Sequence, residues 1–291
     1  MHVQTVKTIL SAQNGMNLYR GCTHGCIYCD SRSACYGMEH AFEDVEVKSN
    51  APELLEQALR TRKKRCMIGT GSMSDPYQPL EAQWKLTRRC AELVEKYGFG
   101  FTMITKSDLV LRDLDLLRSI HAGGRCVVQM TLTTLDESLC RRVEPQVCTT
   151  RQRVETLFRL RDAGIPTVVW LSPILPYIND TVENLEGILK DCFDAGVRGI
   201  LCFGMGVTLR TGNREYFYKQ LDANFPGKKR LYQKQFGNAY ICPCPNQAAL
   251  MRRFEDACAA RNVLHTPQQI FADLQTFEDK RGGKQLSLLD V

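Results

Sequence analysis

A chain of 291 residues with 44% hydrophobic content can bury one large core or two small ones. Its formal net charge of +6, from 38 Lys and Arg against 32 Asp and Glu, permits a polyanionic partner without requiring one. No stretch approaches the roughly 20 apolar residues of a membrane span, and the start of the chain has no apolar signal core, so a cytoplasmic protein without a membrane partner is expected, its 14 cysteines reduced.

In chain order, Asn17, Leu18 and Tyr19 form a short first strand. Cys22, Cys26 and Cys29 follow at gaps of four and three residues. Gly21 and Gly25 argue for a loop, because glycine costs about 1 kcal/mol inside a helix. Three thiolates in one tight loop suit a cubane iron-sulfur cluster with one iron left without a protein ligand. That open iron can chelate the amine and carboxylate of a small molecule. The residues alone leave two other readings: a zinc site completed by Cys35, or thiols buried along one face.

Beyond the loop, Asn50 and Pro52 open a helix over 51–62. The basic run Arg60, Arg62, Lys63, Lys64 and Arg65 reads as its solvated end. A strand over 66–68 leads into an irregular loop over 69–81 with two glycines and two prolines. Trp84, Leu86, Cys90, Leu93, Val94 and Tyr97 mark an amphipathic helix stopped by Gly98. Strands at 99–105, 126–132, 167–171 and 198–203 then alternate with helices at 109–120, 136–142, 150–163 and 179–195. This rhythm predicts an α/β fold with a parallel sheet and right-handed crossovers. Six such units over residues 1–204 make a partial (β/α)6 TIM-like barrel, with active-site loops at the strand C-termini.

Residues 205–278 read as a helical extension or lid. Within 205–245, basic residues such as Arg210, Arg214 and Lys228 interleave with Tyr216, Phe217, Tyr232 and Tyr240. Such a stretch either binds phosphates and stacks on bases or packs its aromatics inward. Cys242, Cys244 and Cys258 read as structural thiols rather than a second metal site, since one intervening proline sets the first two poorly for chelation. Residues 279–291 form a flexible tail.

The Cys-x3-Cys-x2-Cys loop, with Tyr28 just before its third cysteine, resembles the signature of radical S-adenosylmethionine (radical SAM) enzymes. The segments Gly69 to Glu81, Thr105-Lys106, Thr131, Glu144-Pro145 and Ser172-Pro173-Ile174 resemble successive blocks of the spore photoproduct lyase family. The resemblance implies a [4Fe-4S] cluster on Cys22, Cys26 and Cys29, S-adenosylmethionine on its open iron, and an electron donor such as flavodoxin or ferredoxin. It implies that Gly69, Thr70 and Gly71 lie beside the methionyl part, with Lys106, Thr131 and Ser172 near its carboxylate, amine or ribose, and Tyr28 and Ser72 in the same site.

Two departures separate this chain from the lyase. Ser72 stands where the lyase carries its hydrogen-donating cysteine, and Asp30 where a tyrosine is expected. Cys140 is then the leading substitute donor, ahead of Cys66 and Cys148. The implied activity is reductive cleavage of S-adenosylmethionine to a 5'-deoxyadenosyl radical that abstracts a substrate hydrogen, in nucleic-acid (DNA lesion) repair or modification. Modification of a peptide or small molecule, and a zinc-stabilised adaptor, are the alternatives. In the tail, Gln285, Leu286, Ser287, Leu288 and Leu289 resemble the peptide by which bacterial proteins dock on the DNA sliding clamp, with Leu289 where a phenylalanine often sits.

Overall fold

Apolar runs in the first two thirds of the chain become the strands of one parallel sheet, joined by helices that cover one of its faces. The structure, a computed structural model, describes residues 1–280. The elements run β1 (His2–Gln4), β2 (Gly15–Met16), β3 (Tyr19–Arg20), β4 (Glu46–Lys48), α1 (Ala51–Thr61), β5 (Met67–Thr70), α2 (Glu81–Trp84), α3 (Leu86–Tyr97), β6 (Gly100–Thr105), α4 (Leu114–Gly123) and β7 (Cys126–Thr131). They continue with α5 (Glu137–Val143), α6 (Thr150–Asp162), β8 (Thr167–Trp170), α7 (Val182–Asp194), β9 (Gly199–Leu201), β10 (Gly206–Thr208), α8 (Asn213–Asn224), α9 (Lys228–Phe236), β11 (Ile241–Pro243), α10 (Gln247–Ala260) and α11 (Pro267–Gln275).

Six strands form the main sheet in the order β2-β5-β6-β7-β8-β9, every neighbouring pair parallel. Strands thus enter in sequence order, as βαβ units require, and the sheet is the partial barrel expected from the sequence. Both faces are buried, which explains why its strands read as apolar runs rather than clean alternations. Phe101, Val128 and Val169 pack with helix residues such as Leu117, Leu157 and Leu189. On the opposite face, Val127, Val168 and Leu201 meet Ile270 and Leu274 of α11. The C-terminal helix therefore packs against the inner face of the sheet. A polar line crosses the same face: Trp170 Nε1 donates to Gln129 Oε1 at 2.7 Å, and Gln129 Nε2 to Thr102 Oγ1 at 2.8 Å.

The first strand departs from expectation. Gly15 and Met16, not 17–19, pair with Gly69 and Thr70. Tyr19 and Arg20 instead lie antiparallel to Val47 and Glu46 in a separate sheet of order β1-β4-β3. The chain leaves the main sheet at Asn17, whose Oδ1 accepts from Ser72 Oγ at 3.3 Å and from the Met73 amide at 3.2 Å. The expected helix over 109–120 likewise begins as a 3-10 segment over Asp108–Asp113. Buried Asp113 draws Arg88 to 2.9 Å and the neighbouring Arg112 Nε to 2.8 Å there, so the segment is held by its side chains before the helix proper starts.

The extension resolves the basic and aromatic stretch largely in favour of packing. Phe217 and Tyr232 are fully buried, with ring centroids 5.2 Å apart, and Tyr232 meets Phe236 at 5.4 Å. Arg214 donates to the carbonyls of Leu209, Gly237, Asn238 and Ala239, bracing the loop before β11. Cys242, Cys244 and Cys258 are buried, the first two against the carbonyls of Ala239 and Ile174. Among the described residues no helix is long and apolar enough to cross a membrane. The stretch Gln285 to Leu289 lies outside the described residues.

Candidate active site

A cavity of about 520 Å³ opens at the C-terminal ends of the sheet strands. Cys22, Cys26, Tyr28 and Cys29 line it from the loop after β3, Gly71 and Ser72 from just past β5, Lys106 from just past β6 and Ser172 from just past β8. Four other expected site residues lie outside this lining. Gly69 and Thr70 are still strand, paired with Thr102 and Met103, so the chain opens to the cavity only at Gly71. There φ is +97°, and a Cβ would come within 2.3 Å of the Ile104 carbonyl oxygen. Thr131 is buried and offers its carbonyl to Arg153 Nη1 at 2.8 Å. Cys140 is buried on α5, with Sγ 3.0 Å from Arg153 Nη2 and 3.7 Å from Glu144 Oε2. As placed, it does not reach the cavity as a hydrogen donor. Cys148 donates instead to the Lys106 carbonyl, and Cys66 sits beside Arg62 at the opposite end of β5. Among the described residues, the cysteines lining the cavity are therefore the three of the loop.

That loop is held by main-chain contacts from three directions. Gly21 has φ +88°, and a Cβ there would meet the Phe42 carbonyl oxygen at 2.4 Å. The same carbonyl accepts from the Cys22 amide at 3.1 Å. From the second side, the Ile27 amide donates to Val143 O at 3.0 Å, and the Gln146 amide to His24 O at 3.1 Å. The Glu144-Pro145 pair is thus part of a brace behind the loop. The third side is the segment after β5. Gln78, fully buried, accepts from the Thr23 amide at 3.2 Å and donates to Gly21 O at 3.4 Å, while Ser74 Oγ donates to Tyr19 O at 2.7 Å. Asp75 accepts from Thr105 Oγ1 and the Lys106 amide, both at 2.7 Å, and lies 3.4 Å from His24 Nδ1. His24, Asp75 and Gln78 escaped the sequence reading as site residues. The position of Asp75 and Gln78 among two prolines was their only signal.

The electrostatics centre on a buried charge group. Glu144 accepts from Tyr28 Oη and from Arg153, and neither Glu144 nor Arg153 has exposed side-chain surface. Burial pushes the Glu144 carboxyl up, but Arg153, Lys106 and the Tyr28 hydroxyl hold it below the usual carboxylate range. Burial works against the Lys106 ammonium too, yet the neighbouring carboxylates Glu144 and Asp75 help to raise its pKa. Burial, with help from Asp75, pushes the Cys22 thiol up to about 12. Burial also lifts the Cys26 thiol well above its ordinary value. Without metal these thiols hold their protons, and the charge of iron would be needed to remove them.

The donor set fits a multi-iron cluster better than a single zinc. Zinc bonds of about 2.3 Å would draw tetrahedral thiolates to about 3.8 Å apart. Among the described residues, the ligand atoms gathered within 4.8 Å of one another belong to two histidines and a glutamate elsewhere, not to these cysteines. Cys35, the fourth zinc ligand considered, is exposed and takes a 3.3 Å contact from Arg210.

A parallel partial barrel with three loop thiols facing a cavity at its strand C-termini is the arrangement that the sequence resemblance implies for a radical SAM enzyme. The chain belongs to the radical SAM superfamily, whose family model matches residues 16–192. An uncharacterised protein of Mycobacterium tuberculosis is 28% identical over 81% of this chain and 71% of its own length. An uncharacterised protein of Methanocaldococcus jannaschii is 33% identical over 62% of this chain and 68% of its own. Among solved structures, a spore photoproduct lyase double mutant with bound AdoMet and dinucleoside spore photoproduct superposes with a TM-score of 0.58 at 13% identity, covering 86% of this chain and 74% of that one. That likeness is one of fold. The family implies S-adenosylmethionine and a [4Fe-4S] cluster as cofactors.

Proposed function

We propose that this radical SAM enzyme repairs or modifies a nucleic acid, taking a single base or lesion into the cavity. The observation that carries the reading is the character of the cavity mouth. Phe203 is 60% exposed and Ile241 64%, large apolar side chains left in water where they line the cavity, with Tyr240 beside them. Such rings and edges are what a base extruded from its stack packs against. The likeness of fold to a lyase solved with a dinucleoside photoproduct supports the same substrate class.

Cys22, Cys26 and Cys29 would hold the cluster, and Lys106 and Ser172 the polar groups of S-adenosylmethionine. When bound, the pair supplies a 5'-deoxyadenosyl radical on injection of one electron, from a donor such as flavodoxin or ferredoxin. The protein's own part is position and exclusion of water. Lys106 keeps a fixed positive charge beside the thiols, Asp75 ties the end of β6 to the loop, and Gly71 lets the main chain border the cavity without a side chain in the way. The clamp-like residues Gln285 to Leu289 would deliver the enzyme to replicating DNA.

The test is anaerobic. A single-stranded or damaged oligonucleotide is expected to bind more tightly than a neutral peptide and to raise 5'-deoxyadenosine formation. Equal binding and no stimulation would defeat the reading. One observation favours the peptide or small-molecule alternative. With Ser72 in place of a thiol, and the lining cysteines all in the cluster loop, the cavity offers no cysteine to quench a product radical.

A further inference from the structure

Away from the cavity, the small sheet carries a second group of ligand atoms. His2 of β1 and Glu46 of β4 are direct Cα partners, and the loop before β4 brings His40 and Asp44 to the same place. One ligand atom each from His2, His40 and Glu46 lies within 4.8 Å of the others. The two imidazole rings stand nearly perpendicular, with centroids 4.8 Å apart.

The hydrogen bonding around the rings is what points to an ion. Each Nδ1 faces an oxygen acceptor: Asp44 Oδ2 at 3.1 Å for His2, and the Ala41 carbonyl at 3.0 Å for His40. Contacts of this kind fix the tautomer of metal-bound histidines and leave Nε2 to coordinate. His40 Nε2 in turn meets Glu46 Oε1 at 2.7 Å. Both groups facing the His40 ring are acceptors, so the ring must carry two protons, or one proton and a cation. Arg20 Nη1 stands 3.6 Å from the same Glu46 oxygen, but its Nη2 donates to the carbonyls of Tyr36 and Gly37. It therefore weakens a cation site here without filling it. Ligands about 2.0–2.1 Å from one tetrahedral ion stand about 3.4 Å apart, between the 2.7 Å of the His40–Glu46 contact and the 4.8 Å within which the three ligand atoms lie.

We propose that His2, His40 and Glu46 form a binding site for one divalent transition ion of the zinc type, with Asp44 and the Ala41 carbonyl orienting the two rings. Water would complete the shell. The site joins β1 to the loop over 37–45, whose Phe42 carbonyl holds the Cys22 amide. A bound ion would stiffen that loop.

The full-length protein, reconstituted with iron and sulfide, is dialysed against Zn²⁺. Bound zinc is then counted and its K-edge absorption fine structure recorded. One zinc per chain is expected, with nitrogen and oxygen neighbours at about 2.0–2.1 Å. His2→Ala and His40→Gln are expected each to weaken zinc binding at least tenfold, while the cluster absorbance and far-ultraviolet dichroism stay unchanged as evidence of folding. The proposal is overturned if no zinc is retained, if either folded variant binds zinc as the parent does, or if the neighbours are sulfur at about 2.3 Å.

Discussion

At the residue scale, the most demanding feature is an ion pair with no exposed side-chain surface, Glu144 with Arg153. Removing one member of such a pair leaves an uncompensated buried charge, at a cost of about 3–5 kcal/mol. Arg153→Met is therefore expected to destabilise the protein by that amount in denaturant unfolding, and to lower the iron retained after reconstitution, because Glu144 also takes the Tyr28 hydroxyl. Gln78 makes a smaller, more local contribution. Gln78→Leu leaves the Thr23 amide and the Gly21 carbonyl without their side-chain partner, and each buried unpaired group costs about 1–3 kcal/mol. Iron per chain should fall while far-ultraviolet dichroism holds. Unchanged iron content would show that the loop does not depend on this brace.

At the element scale, α11 fastens the inner face of the sheet to the strand N-termini. Asp273 accepts from Arg198 Nε at 2.7 Å and pairs with Arg125, two residues that immediately precede strands. Burial pushes the Asp273 carboxyl up, but hydrogen bonds from Arg198 and Arg125 bring it below its ordinary value. A depressed carboxylate stabilises the fold above its unfolded pKa, and that contribution is lost as pH falls through the lower, folded value. Asp273→Asn should therefore reduce the melting temperature at neutral pH, and the gap from the parent should close in acid. A gap that persists unchanged into strong acid would contradict the assignment.

Much at this scale was legible in the sequence. The β/α rhythm gave the order of the sheet because each amphipathic helix ends at a glycine or a turn. The two-residue β2 was not legible, since its place depends on long-range pairing with Gly69 and Thr70 rather than on its own residues. Neither was the packing of α11 inside the barrel, because an amphipathic helix does not say which surface it will cover. At the site, the thiol loop and Lys106 could be read from motif blocks. Thr131 and Cys140 could not be placed without knowing that Arg153 would claim both.

Over the whole molecule, the two ends of the sheet divide the work. One end is held by α11 and its ion pairs, and the other opens over the three thiols. Phe203 and Tyr240 border the opening, so Phe203→Ala with Tyr240→Ala is expected to weaken oligonucleotide binding by about tenfold, at about 1–3 kcal/mol of stacking per base. The same double variant should retain its iron and its cleavage of S-adenosylmethionine in the absence of substrate. Loss of both would show that these rings hold the site together rather than the substrate.

The proposed function rests on Cys22, Cys26 and Cys29, which would hold a cluster at which S-adenosylmethionine is reductively cleaved. Its most direct test is 5'-deoxyadenosine formation by the anaerobically reconstituted enzyme under reductant, compared with a variant carrying alanine at all three positions. About four irons per chain and steady product are expected from the parent, and neither from the variant. Undiminished 5'-deoxyadenosine from the variant would contradict it.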